Sequence, residues 1–105
     1  MAGVDLHIHS TASDGSLTPA DIVSRAAELG LTCISITDHD TVAGVSPSIG
    51  AGEAAGIRVI PGVELSAGLD GRGIHILGYL IDHDDPELIG HLKRLRISLQ
   101  TVVKP

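Results

Sequence analysis

The alternation of short apolar runs with segments of helical pattern restricts the fold of this chain more than any other feature. From Gly3 to His9, Val4, Leu6 and Ile8 alternate with Asp5, His7 and His9, the period-two pattern of a strand. Thr32 to Thr37 is apolar on both faces where Cys33, Ile34 and Ile36 fall, which suits a parallel strand covered by helices. Between them, Thr18 is a good N-cap, with Pro19 at the first helical position and Asp21 at the third. Ile22, Val23, Ala26, Ala27 and Leu29 give that helix an apolar face, and Gly30 stops it. A second crossover helix is expected over Val42 to Ala55, although Ser46, Pro47, Ser48, Gly50 and Gly52 form helix poorly. A third strand is expected from Arg58 to Glu64, interrupted by Pro61 and Gly62, and a fourth from Gly73 to Leu80 after a glycine-rich turn at Leu69 to Gly73. Asp85-Pro86 then caps a last helix, 86–100, in which Leu88, Leu92, Leu95 and Leu99 recur at helical spacing.

Strand, helix, strand, helix, strand is the order of an α/β fold, here about four mainly parallel strands with crossover helices. Four strands cannot close a barrel, which takes about eight in its standard form. The core must be built from Ile, Leu, Val and Ala, because Tyr79 is the only aromatic residue. Thirteen acidic against seven basic side chains give a net charge of −6, which argues against a nucleic-acid grip made of basic patches. Bound divalent cations would offset acids that stand beside histidines. The lone Cys33 cannot form an internal disulfide. Met1 to His9 is too short and polar for a signal peptide, and no stretch approaches the roughly 20 apolar residues of a membrane span. A cytoplasmic setting without membrane contact is the expectation.

The chemistry gathers at the ends of the strands. Residues two apart in a strand project to one face, so His7 and His9 present adjacent imidazoles. By itself a His-x-His also fits two surface histidines. Asp38-His39-Asp40 follows the second strand at its carboxyl end, where α/β proteins collect ligands. Asp38 or Asp40 could equally cap the next helix, and Asp14 in Ser13-Asp14-Gly15 could be a turn residue. Glu64 closes the third strand, and His75 lies inside the fourth between apolar neighbours, where a hydrogen-bonded core histidine is the ordinary finding. Taken jointly, three successive strands finish with His, Asp or Glu, and in a parallel sheet those ends share one rim. That clustering points to a metal site. Imidazole and carboxylate without thiolate suit Mn, Zn, Fe or Mg, and the supply of ligands predicts two or three divalent ions. Ions held so close together commonly serve phosphoester hydrolysis. His83, in the acidic loop Asp82 to Asp85, and His91, on the polar side of the last helix, read as ordinary solvated residues.

The strings Asp5-Leu6-His7-Ile8-His9-Ser10, Ser13-Asp14-Gly15, Thr37-Asp38-His39-Asp40-Thr41, Gly62-Val63-Glu64 and His75-Ile76-Leu77-Gly78-Tyr79 resemble the PHP (polymerase and histidinol phosphatase) family in order and spacing. In detail they are most similar to stand-alone bacterial members that act as nucleotide phosphoesterases, including those that cleave 3′,5′-bisphosphonucleosides and those that trim RNA from its 5′ end. The resemblance implies the N-terminal portion of a distorted seven-stranded β/α barrel with three metals at its carboxyl rim. It implies that His7 and His9 bind one ion, that Glu64 bridges to a second which His75 also binds, and that Asp14 and His39 bind the third. Asp38 and Asp40 would stand behind the ligands, orienting His39 and the attacking water, or face the substrate. The implied substrate is a phosphorylated small molecule, a nucleotide or a short oligonucleotide.

In one respect the sequence departs from that pattern. The family's late Asp-x-His motif, and a further His before it, have no counterpart before Pro105, and 97–105 lacks the charged helical character that usually follows. The expectation is therefore a partial PHP domain over 1–105, with its motifs within 4–80. Two readings compete with a phosphoesterase. One is a non-catalytic half-barrel that binds metal weakly and self-associates through an exposed sheet edge; the other is the PHP module of a replicative DNA polymerase. An amidohydrolase barrel shares the His-x-His but would not predict Thr37-Asp38-His39-Asp40 or Gly62-Val63-Glu64.

Overall fold

In the computed structural model, residues 3–69 and 72–103 are described. The first strand, β1 (Gly3–Ile8), leads through a polar loop into helix α1 (Pro19–Glu28). The Thr18 side chain caps that helix as expected, accepting the Asp21 N–H at 3.2 Å, and Pro19 occupies the first turn. Ile22, Val23 and Ala26 form its buried face. Strand β2 (Leu31–Ile36) returns parallel to β1, and their packing against α1 makes one core of Ile22, Val23, Ala26, Ile34, Ile36 and Ile57. These aliphatic side chains fill the interior without any aromatic ring.

Helix α2 forms over Val45–Ala55, three residues later than expected, despite its poor helix formers. Part of the reason lies in packing. Gly52 is buried, and a Cβ there would stand 2.7 Å from both the Ile57 carbonyl oxygen and Val59 Cγ2. The glycine lets the helix lie close against the strand that follows, at a propensity cost near 1 kcal/mol.

The expected third strand, Arg58 to Glu64, is two strands. Strand β3 covers only Arg58–Val59 and pairs parallel with β2. Pro61, which has no N–H to donate, breaks the ladder, and strand β4 begins at Gly62 and runs to Leu69. The break is bridged on both sides. Ile60 N–H donates to the Ile34 carbonyl at 2.9 Å, and the Ser35 hydroxyl donates to the Ile60 carbonyl at 2.7 Å. Beyond Pro61, Glu64 N–H donates to the Asp38 carbonyl at 3.0 Å, and Asp40 N–H to the Glu64 carbonyl at 2.9 Å. The start of β4 thus continues alongside the chain leaving β2.

The expected fourth strand, β5 (Arg72–Tyr79), pairs antiparallel with β4, so the parallel arrangement holds for the three-stranded sheet β1-β2-β3 and not for the hairpin β4-β5. A short connection between β4 and β5 permits only this: a parallel return needs a crossover of a dozen residues or more. The turn expected at Leu69 to Gly73 lies partly outside the described residues. Helix α3 (Pro86–Val103) carries Leu92 onto Val42, Val45 and Val63 in a second core; the side chain of Leu99 lies outside the described residues. The class is α/β, with an open sheet. Strand β1 is one of its edges, and Val4 and Leu6 on it are exposed.

Gly62 sits where the kinked strand crosses β2: a Cβ there would meet Ser35 Oγ and lie 2.8 Å from Thr37 Cγ2. Gly62→Ala should cost about 1–3 kcal/mol of stability, the usual effect of forcing an extra carbon into a packed site. Urea denaturation checks this, and an unchanged midpoint would contradict the packing described.

Candidate metal centre

Strands β1, β2 and β5, or the residues just past them, bring four histidines to one place. His7 is on β1 and His9 just past its end; His39 follows β2 and forms an isolated parallel bridge with Glu64; His75 lies in the middle of β5. Their rings form a chain, with centroids 5.2 Å apart for His7–His9, 4.3 Å for His9–His39 and 5.2 Å for His39–His75. Glu64 is at their centre, only 6% of its side chain exposed. Its Oε1 lies 2.6 Å from His7 Nε2 and 2.8 Å from His9 Nε2; its Oε2 lies 2.7 Å from His75 Nδ1 and 3.6 Å from His39 Nδ1. Because β4 begins at Gly62, Glu64 is the third residue of that strand, where the sequence suggested the end of the one before.

Asp14 joins from the β1–α1 loop. Its Oδ1 lies 2.9 Å from His9 Nδ1 and its Oδ2 3.2 Å from His39 Nε2. His9 and His39 are therefore each bracketed by two carboxylates, one at either ring nitrogen. A neutral imidazole carries a single N–H and satisfies only one of them. A second proton or a cation between nitrogen and carboxylate satisfies both. The six side chains fall into three overlapping groups: His7, His9 and Glu64; His9, Asp14 and His39; and His39, Glu64 and His75, with ligand atoms in each group within 4.8 Å of one another. Hard oxygen and borderline nitrogen donors at such separations fit divalent metal ions.

The electrostatics fit the same description. Burial raises the pKa of Glu64, but hydrogen bonds from His9, His7 and His75, with the charge of His39, outweigh it and bring the carboxyl from 4.5 down to about 2. The group is an anion at any physiological pH.

Asp38 and Asp40 lie behind the cluster and do not face solvent. Asp38 is 1% exposed and accepts the Ser10 N–H and hydroxyl, each at 2.6 Å, and the Ser13 hydroxyl at 2.7 Å. It thereby fixes the loop that carries Asp14. Asp40, also buried and with a positive φ of 53°, accepts the Ser66 N–H at 2.8 Å and ties the His39 segment to β4. Ser10 and Ser66 are the partners that sequence reasoning missed. Ser10 lies within a motif but shows no local sign of full burial, and Ser66 shows no sign at all. His83 and His91 stand apart from the cluster. His83 is 17% exposed, more buried than its acidic loop suggested, 3.6 Å from Asp84 and lining an open cleft of about 270 Å³ with Thr41, Val42 and Leu92. His91 is exposed, 2.9 Å from Arg94.

Fold and donor set define an α/β protein whose strand ends gather imidazoles and carboxylates suited to divalent metal ions. The chain belongs to the PHP domain family, whose sequence pattern matches residues 5–98. It is similar to a 5′-3′ exoribonuclease of Haemophilus influenzae, 45% identical over 89 residues, which cover 85% of this chain and 32% of that protein. It is also similar to a 3′,5′-nucleoside bisphosphate phosphatase of Chromobacterium violaceum, 40% identical over 96 residues, 91% of this chain and 34% of the relative. Among solved structures, an amidohydrolase from Chromobacterium violaceum, with bound sulfate and no metal, superposes with a TM-score of 0.88 at 37% identity, covering 93% of this chain and 34% of that one. A candidate metal-dependent phosphoesterase from Bifidobacterium adolescentis gives 0.86 at 31% identity, covering 95% and 35%. The chain thus spans about a third of the length of the relatives it matches.

The depressed pKa of Glu64 fixes a sign for acid unfolding. Its ionisation stabilises the metal-free fold fully above pH 4.5, and that contribution is lost as pH falls toward 2. Denaturation midpoints measured between pH 6 and 2 should fall less steeply for Glu64→Gln than for the wild type; parallel curves would show that the carboxylate is not held by its imidazoles.

Proposed function

We propose that residues 1–105 form a partial PHP domain and supply the N-terminal, metal-binding part of a hydrolase that cleaves phosphate esters of nucleotides or short oligonucleotides. One observation carries this reading: four imidazoles and two carboxylates from β1, the two loops that follow β1 and β2, and the β4-β5 hairpin meet in three overlapping ligand groups. The names of the relatives, an RNA exonuclease and a nucleotide bisphosphate phosphatase among them, support the substrate class. In this reading His7, His9, Asp14, His39, Glu64 and His75 hold two or three divalent ions, Mn, Zn, Fe or Mg. His9, His39 and Glu64 each belong to two groups, so each would be shared. Asp38 and Asp40 are positioning residues, holding the Asp14 loop and the His39 segment in place.

Divalent ions bound here would neutralise charge on phosphoryl oxygens and lower the pKa of water. The residues of the chain supply orientation. Exposed His7, His75 and Asp14 line the open side of the cluster, where a phosphate can approach, while Glu64 lies at its buried floor. Carboxylates opposite both nitrogens of His9 and His39 keep those rings from rotating. Among the described residues no helix is long and apolar enough to cross a membrane, and a cytoplasmic setting belongs to this proposal.

A second reading has its own observation. The outer edge of β1 has no strand partner among the described residues, and Val4 and Leu6 on it are exposed, which favours self-association of a non-catalytic, metal-binding half-barrel. One experiment separates the two. Purified chain is assayed with Mn against a nucleoside 3′,5′-bisphosphate and a 5′-phosphorylated RNA oligonucleotide, with sedimentation velocity alongside. The hydrolase reading expects turnover that needs the metal and falls by more than about 100-fold in His9→Ala. Metal uptake without turnover, in a defined oligomer, is the result expected of the half-barrel.

A further inference from the structure

The six ligand residues come from two separate sheets and the loops that leave the first, and something must hold those sheets in register. β1 and β2 belong to the three-stranded sheet, whereas Glu64 and His75 belong to the β4-β5 hairpin. On the Glu64 side the join is the backbone pairing of Glu64 with Asp38 and Asp40. On the His75 side, among the described residues, no such ladder joins β5 to β1. There the Tyr79 hydroxyl donates to the carbonyl oxygen of Leu6 at 2.6 Å, spanning 73 residues of sequence. The acceptor belongs to the residue before His7. The donor is four residues after His75 on the same strand, so the two side chains leave β5 on one face. Tyr79 pairs with Gly62 across the hairpin, at the point where β4 leaves the break at Pro61.

From this we infer that Tyr79 is a positioning residue for the metal centre: its hydroxyl lashes the hairpin to β1 beside His7, so that His7 and His75 close on Glu64 from opposite sides. Tyr79 is 37% exposed and belongs to neither hydrophobic core, so burial does not explain it. The contact that distinguishes it from phenylalanine is this one hydrogen bond. Without it, His75 loses its fixed distance from His7, while the group His9, Asp14 and His39, held through Asp38 and the backbone of β2, is untouched.

This inference rests on the metal-centre reading, and the experiment separates the two. Co(II) titration, followed by absorbance and calorimetry, is run on the full chain and on Tyr79→Phe, His75→Ala, His9→Ala and the double variant Tyr79→Phe/His75→Ala. Tyr79→Phe should bind Co(II) about tenfold more weakly at one class of site, the usual effect of losing a group that orients a ligand. In the His75→Ala background the same change should have no further effect, because its route to the metal is already gone. A general loss of stability would instead add equally in both backgrounds. Tyr79 is the only tyrosine, so biosynthetic fluorotyrosine labels it alone, and its fluorine resonance in the otherwise unchanged protein should shift in step with Co(II) binding even if Tyr79→Phe folds poorly. Unaltered binding by Tyr79→Phe, an equal loss in both backgrounds, or a resonance that ignores the metal overturns the role of Tyr79 while leaving the centre standing. Binding that His9→Ala and His75→Ala leave untouched overturns both.

Discussion

One buried carboxylate organises this molecule. Glu64 faces imidazoles delivered by β1, by the ends of β1 and β2, and by β5, and it does so from a strand whose own backbone is bonded to the β2 exit. An isolated carboxylate at this depth would be costly. Four histidines make it an anion that remains charged far below its ordinary pKa. Much of the neighbouring structure follows from keeping that arrangement fixed. Pro61 ends β3 so that β4 can start on a new line, Gly62 lets the strand cross β2, and Asp40 takes a positive φ to join Ser66.

The rest of the local polar network has the same purpose at one remove. Buried Asp38 and Ser10, with half-buried Ser13, form a knot that ties the β1–α1 loop to the end of β2. Satisfied buried networks of this sort rigidify a site, because leaving any member unpaired is expensive. The consequence is that Asp14, itself exposed, is held at its base by groups that are not. The cluster is pinned from beneath and open above.

The elements with strong local signals were legible in the sequence. Thr18-Pro19 marked the start of α1, the alternation at Val4 to Ile8 marked β1, and the apolar run at Cys33 to Ile36 marked β2. The approach of His7, His9, His39 and Glu64 could also be read, because residues placed near strand ends meet once the strands lie side by side; Asp14 and His75 joined that set only through the family resemblance. Other features were hidden because they depend on contacts between distant residues. A proline and a glycine inside Arg58 to Glu64 signalled an interruption but not that the strand would restart and turn back as a hairpin. Helix α2 overrides the propensities of Gly50 and Gly52 through packing on β3. The family resemblance left Asp38 either behind the ligands or facing the substrate; that it turns inward is decided by Ser10, twenty-eight residues away.

The central claim is that these six side chains hold divalent ions between them. Anomalous diffraction from crystals of this chain grown with Mn tests it most directly. The account predicts peaks within bonding distance of His7, His9 and Glu64, with at least one more ion bound by His39 together with Asp14 or His75. Peaks confined to other surfaces, with Glu64 still bonded directly to its histidines, would contradict it.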